Sequence, residues 1–324
     1  MSSRLVAVSV LVLSAAFFSS RGLWAQAYPV KPVHLVVPYA AAGPVDIVGR
    51  YVAQKLTEKW HHQVIVENRG GSGGALGANA VAKAPPDGYT LLLGNGGPIT
   101  VYPHLRKSLL YAPYRDFEPA ALLVVSCMVL MAHPSLPAKS VAELVRLAKK
   151  SPGILTYSSS GVGGLQHLGM ELLQSLAGIK MVHVPYKGAA PALLDVLSGQ
   201  IDLQFNNVVG ALPHVKSGKV RALAVSTAKR SSVLPDVLPV ASVYPSFDVA
   251  SWMGVFAPAG TPKELVAGIT RDVVWAMNQP ETTQRMADLG AEVVAGGPAE
   301  LVAYTRNESE LFGRIIAAAG IPKE

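Results

Sequence analysis

The sequence predicts an α/β protein of two lobes, each a mixed or parallel sheet covered by helices, with the chain crossing between the lobes twice. Short apolar or β-branched runs alternate with amphipathic stretches in the order β-α-β-α-β, which implies parallel strands joined by helices. The same grammar recurs after HPSLPAKS, so the chain holds two such units. The two closing helical stretches have no sheet of their own, which returns the chain to the first unit.

Before the first strand stands a segment of a different kind. Met1 to Ala27 has one early positive charge at Arg4, an apolar run from Leu5 to Phe18, and the small-x-small triplet Ala25-Gln26-Ala27. This is the pattern of a secretory leader removed after Ala27, and its apolar run is shorter than the roughly 20 residues of a membrane span. The 297 residues that follow exceed the ~100–200 of one ordinary domain. Taking Arg4 and Arg21 away leaves 26 Lys and Arg against 21 Asp and Glu, a mild formal surplus of +5. No basic run carries interleaved aromatics, so nucleic acid is not expected as a partner.

In chain order, VHLVVPY (Val33 to Tyr39) is apolar at nearly every position, as a buried parallel strand is. A helix follows AAAG, with Ile47, Val48, Tyr51, Val52 and Leu56 on one face and Asp46 in its first turn, where a negative charge suits the helix dipole. QVIVEN, a glycine stretch, the helix ALGANAVAKA, the turn PPDGY and the strand TLLLGN complete the first round. The second runs through the helix VAELVRLAKK, the strand before SSSGVGG, a helix with Leu165, Leu168, Leu172, Leu173 and Leu176 on one side, MVHVPYKG, a helix near Pro191 to Leu197, IDLQFNN and VRALAVS. WMGVFAPAGTP gives one more strand before the closing helices. The expected division is residues 28–130 with 250–324 as the first lobe and 131–249 as the second, with crossings near Val129 to His133 and Asp248 to Gly254.

Open parallel sheets bind ligands beyond the carboxyl ends of their strands, where loops lead into helix N-termini. PYAAAG and YSSSGVGG are such loops, one per lobe, rich in small residues and unpaired N–H groups suited to an anion. Gly70 to Gly74 invites sharper readings. Gly71, Gly73 and Gly77 space as GxGxxxG and miss the dinucleotide pattern, while Gly70-Gly71-Ser72-Gly73-Gly74 matches the GxSxG of a nucleophile elbow. A secreted serine hydrolase using Ser72, with His167, His183 or His214 and Asp195 or Asp202 as partners, is therefore the alternative function. The structural reading, a loop lying close to other backbone, is favoured because four glycines make the match easy to obtain by chance. Cys127, the one cysteine, sits in an apolar run and reads as a buried inert thiol. The eight histidines are dispersed, so no zinc site or cofactor is expected, and His61-His62 reads as a solvated helix end.

The runs YPVKPVHLVVPYAAAGPVDIVGR, VIVENRGGSGGALGANAVAKAPPDGYTLLLG, YSSSGVGGLQHL, HVPYKGAAPALLDVLSGQIDL, LPHVKSGKVRALAVSTAKRS and FAPAGTPKE resemble the Bug family, the extracytoplasmic solute receptors of tripartite tricarboxylate transport systems. The resemblance covers essentially the whole chain after the leader. It implies a type II periplasmic-binding-protein fold that closes two lobes on a small carboxylated solute without catalysis, as a monomer that serves membrane permease subunits or a sensor protein. By position it assigns Tyr39, Ala40 and Gly43 to a first ligand loop, Ser159, Ser160 and Gly161 to its counterpart, and Asn95, Gly96, Asn206 and Asn207 to further cleft positions. Ala42 stands where relatives often have glycine, Val45 where they have threonine, and Asn206 where they often have aspartate. Tyr186 and Lys187 are secondary cleft candidates, with a structural role favoured for both and for His183.

Overall fold

The computed structural model describes residues 28–318 and 321–323, so the expected leader lies outside the described residues. Strand β1 (Val33–Val37) pairs in parallel with β2 (Val64–Asn68) on one side and β3 (Thr90–Gly94) on the other. Between them lie helices α1 (Pro44–Trp60) and α2 (Ala75–Ala82). Helix α1 begins with Pro44 in its first turn, where a missing N–H costs nothing, and ends at His61 in the left-handed region at φ 55°.

Strand β4 (Phe117–Ala132) is the long apolar run, and all but three of its sixteen residues are buried. Its first part pairs antiparallel with β9 (Ala250–Pro258) as far as Cys127, and from Met128 onward it pairs with β7 (Leu203–Asn207) and β8 (Arg221–Val225). One continuous strand therefore belongs to both lobes, and the change of partner falls at Cys127 and Met128, just ahead of the expected Val129. The return occurs at Val249, whose N–H donates to Ser226 O at 2.9 Å, and at Ala250, where β9 begins.

The second lobe follows the expected order, with α3 (Val141–Lys150), β5 (Thr156–Ser159), α4 (Leu165–Ala177), β6 (Val182–Pro185), α5 (Ala189–Leu197), β7, α6 (Val208–Lys216) and β8. Across both lobes the strands run β2-β1-β3-β9-β4-β7-β5-β6, and β8 and β10 also pair with β4. After α7 (Lys263–Met277) and α8 (Pro280–Asp288) comes β10 (Ala291–Gly296), antiparallel to β4, and then α9 (Pro298–Ala318). Helices α7 and α9 pack against β4, and α7 also against α1, and they bring this strand with them. Its sequence, AEVVAG, is short and half-exposed, and offers no apolar run to announce it.

Candidate functional site: an interlobe cavity ringed by helix N-termini

Between the lobes lies a small, partly open cavity. Four helices open onto it. Gly43, Pro44 and Val45 line it at the start of α1, Leu165 and Gln166 at the start of α4, Ala189 at the start of α5, and Asn207 as the N-cap of α6. The first N–H groups of a helix have no partner within it and carry the positive end of the dipole. None of the lining residues is Lys, Arg, His, Asp or Glu. The arrangement therefore offers positive potential from backbone alone, against an apolar wall of Met128, Met253, Leu165 and Val45.

Three lining side chains have a donor that no hydrogen bond among the described residues uses: the Asn95 amide, and the hydroxyls of Ser160 and Ser251. Asn95 Oδ1 accepts from the Tyr39 hydroxyl at 2.9 Å, which leaves its NH₂ group unpartnered. Asn207 is spent internally, its Oδ1 accepting from Val209 N at 3.0 Å and its NH₂ donating to Ser126 Oγ at 2.7 Å.

The first loop is held by an ionised network. Asp46 Oδ2 accepts from Ala42 N and from Arg50 Nε, both at 2.9 Å, and Asp46 Oδ1 accepts from Asn68 Nδ2 at 2.9 Å. Asn68 Nδ2 also reaches Tyr39 O at 3.1 Å. Burial alone would raise the Asp46 carboxyl, but hydrogen bonds from Arg50, Asn68 and Ala42 hold it below the usual carboxylate range. Ala42 has φ 62°, so the position where relatives often carry glycine does take the left-handed conformation, at some cost for alanine.

Neutral groups hold the second loop. His183 Nε2 and Ser159 Oγ share a hydrogen bond of 2.6 Å, and Ser159 Oγ also accepts from Gly161 N at 3.1 Å. The His183 ring stacks against both Tyr157, 4.9 Å away, and His167, 4.1 Å away, in a cluster of three rings. Burial lowers His167 to about 4, and burial together with the neighbouring His167 lowers His183 to about 3, so both rings are neutral near pH 7. Gln166 locks the loop from the other side, accepting from Ser160 N at 2.6 Å and donating to Asn206 Oδ1 at 3.4 Å.

Of the ten residues singled out by sequence, Tyr39, Gly43, Asn95, Ser160 and Asn207 line the cavity. The other five do not, and form a shell around it. Ala40 backs Gly188, where an added Cβ would stand 3.1 Å from Ala40 N. Gly96 lies under the Leu165 side chain, Ser159 and Asn206 are buried beneath the loops, and Gly161 faces Gly73. Tyr186 and Lys187 are not among the lining residues, and the Tyr186 hydroxyl is taken by Asp195. Leu165, Gln166 and Ala189 were legible by the same loop-into-helix rule, whereas Met128, Ser251 and Met253 come from the crossing strands and carry no sequence signal.

The glycine stretch lies close to other backbone. A Cβ on Gly73 would fall 1.7 Å from the Tyr102 hydroxyl, and one on Gly161, across the cleft, would fall 2.8 Å from Gly73 Cα. Ser72 Oγ accepts from Arg106 Nη1 at 2.8 Å, and no histidine is among its partners in the described residues. The Ser–His contacts among the described residues, Ser159 with His183, Ser309 with His104 and Ser135 with His133, all leave Ser72 out, and Ser159 is fully buried. Cys127 is buried, and burial pushes its thiol up. Among the described residues no cluster of His, Cys, Asp and Glu is arranged to hold a metal, and no helix is long and apolar enough to cross a membrane.

Residues 48–321 match the model of the family described as "Tripartite tricarboxylate transporter family receptor". Protein BugT of Bordetella pertussis is 31% identical over 320 residues, covering 98% of each chain. The structure of Rpa4515 of R. palustris with adipate superposes with a TM-score of 0.89 at 33% identity, covering 92% of this chain and all of that one. MatC from Rhodopseudomonas palustris with bound malate superposes with a TM-score of 0.85 at 33% identity, covering 89% of this chain and all of that one. With its two lobes, shared crossing strands and interlobe cavity, the chain belongs to the tripartite tricarboxylate transporter receptors, the Bug-type periplasmic solute-binding proteins.

Proposed function

We propose that this receptor captures a small carboxylate with a short apolar chain in the interlobe cavity, by closing the lobe formed by residues 28–130 and 250–324 on that formed by 131–249. The observation that carries the reading is the cavity's lining: four helix N-termini, three unspent side-chain donors and an apolar wall, with no charged side chain. An anion is the group that backbone N–H donors at helix ends stabilise, and methionine, leucine and valine suit the methylenes between or beyond its charges. Two relatives are described with dicarboxylates, adipate and malate, which supports the class. No covalent step is involved; the closed form need only bind the solute better than the open form does.

The setting is the periplasm, reached by a leader removed after Ala27. The protein acts there as a monomer whose closed form is read by membrane permease subunits or by a sensor protein. Thermal-shift screening of the refolded, ligand-stripped mature protein against a carboxylate panel that includes adipate and malate tests the reading. A ligand at a hundred times its Kd adds about 2.7 kcal/mol, a shift of several degrees for a chain of this size. Stabilisation by at least one acid is expected; an unresponsive protein across the whole panel contradicts the proposal.

A further inference from the structure

Behind the crossing strands lies a second, open hollow, walled by both lobes. Its floor includes Cys127 of β4 and Ala250 of β9, while the next residues along the same strands, Met128 and Ser251, line the solute cavity. Successive side chains of a strand point to opposite faces. The two hollows therefore lie on opposite sides of one pair of hinge strands, and a rotation about those strands that opens one must narrow the other.

The lobes are in contact across the solute side, with Gly161 against Gly73 and Gly188 against Ala40. Beside the rear groove the lobes also meet, since a Cβ added to Gly290 of the first lobe would stand 2.5 Å from Val233 Cγ2 and 3.0 Å from Val208 Cγ2 of the second, while the groove itself stays open at Ala228 and Ala287. Ala228, on the second-lobe wall, and Ala287, on α8 of the first lobe, line it from the two lobes, and both are exposed. Neither lines the solute cavity. Bulk at these positions has room when the lobes are closed and is squeezed when they open.

We infer that Ala228 and Ala287 are affinity-determining positions outside the cavity: they set the fraction of solute-free protein that is closed, and through it the apparent affinity. The inference rests on the closing-receptor reading above. Apparent affinity scales with the population of the competent state, so a wedge that disfavours the open state tightens binding without touching the solute. It also makes the groove a surface whose width reports the state of the cleft.

The test uses Ala228→Trp, Ala287→Trp and the double variant, each checked for native circular dichroism. Two independent positions, one on each lobe, guard against a single misfolded variant. Small-angle scattering of the solute-free proteins is expected to show a smaller radius of gyration than wild type, with the double variant smallest. Titration with adipate and malate is expected to show at least about fivefold tighter binding of whichever acid binds wild type, through slower dissociation. Folded variants whose solute-free dimensions equal or exceed those of wild type would overturn the inference. The scattering arm needs no acid, so compaction in a protein that binds no carboxylate would count against the solute class alone and leave the hinge coupling supported.

Discussion

The two cleft loops do the same task with opposite chemistry. The Tyr39–Gly43 loop is pinned by an ionised carboxylate, Asp46, shared among Ala42 N, Arg50 and Asn68. The Ser159–Gly161 loop is pinned by uncharged partners, His183 on Ser159 and Gln166 on Ser160. Overall charge runs the other way. Divided at the two crossings, the first lobe from residue 28 onward holds 15 basic and 15 acidic residues, and the second holds 11 basic and 6 acidic. The lobe without surplus charge uses an ion to shape its loop, and the lobe carrying the whole surplus shapes its loop with neutral groups. Local scaffolding and net charge are therefore independent, and neither puts a charged side chain into the cavity.

Asp46→Ala breaks the comparison most severely. It strands Ala42 N, the Arg50 guanidinium and the Asn68 amide around a buried position, and the expected loss is about 2–3 kcal/mol of stability, readable by urea denaturation. Solute binding should weaken with it. A variant as stable as wild type would mean that the first loop holds its shape without the ion.

Gly161→Ala acts on the meeting of the two lobes. Gly161 has φ 135°, and an added Cβ would stand 2.8 Å from Gly73 Cα of the opposite lobe. Overpacking of this kind costs about 1–3 kcal/mol, here in the closed state, so solute affinity should fall by roughly tenfold or more at about 1.4 kcal/mol per tenfold. Calorimetric titration reads the effect. Unchanged affinity would show that closure does not bring these loops together.

Smaller and more informative is the response to pH, where the lobes should oppose each other. His167 and His183, lowered from 6.5 to about 4 and about 3, contribute stability that is complete above pH 6.5 and lost as pH falls toward those values. In the first lobe, Glu308 accepts from Thr100 Oγ1 at 2.6 Å and from the Trp252 indole, and burial raises it from 4.5 to about 7. Its contribution is complete below pH 4.5 and lost as pH rises through about 7. Melting curves should therefore show Glu308→Gln gaining stability more steeply than wild type between pH 5 and 7. The double variant His167→Gln with His183→Gln should do the reverse. Parallel pH profiles for all three proteins would remove the opposition.

Much of this architecture was legible because the physics that makes a parallel strand also makes it a continuous apolar run. The loops after β1 and β5 were found by their position ahead of helices, and that rule placed Tyr39, Gly43 and Ser160 on the cavity. It would also have reached Gln166 and Ala189 had it been carried one turn into each helix. Met128, Ser251 and Met253 were not legible, because a residue on a crossing strand looks like core until the second lobe is placed beside it. Strand β10 was missed because AEVVAG borrows its stability from β4 and has no pattern of its own. GGSGG was the reverse case, a match to a reactive motif whose glycines serve the approach of Tyr102 and Gly161.

The central claim is that negative charge on a small solute is held by backbone at helix ends, without a cationic side chain. Calorimetry with the acid that gives the largest thermal shift, set beside its methyl ester, tests this most directly. The acid should bind one to one and the ester at least about a hundredfold more weakly, since charge-assisted hydrogen bonds contribute about 1.5–3 kcal/mol each. An ester that binds as tightly as the acid would mean that the cavity reads the apolar chain, and would contradict the account.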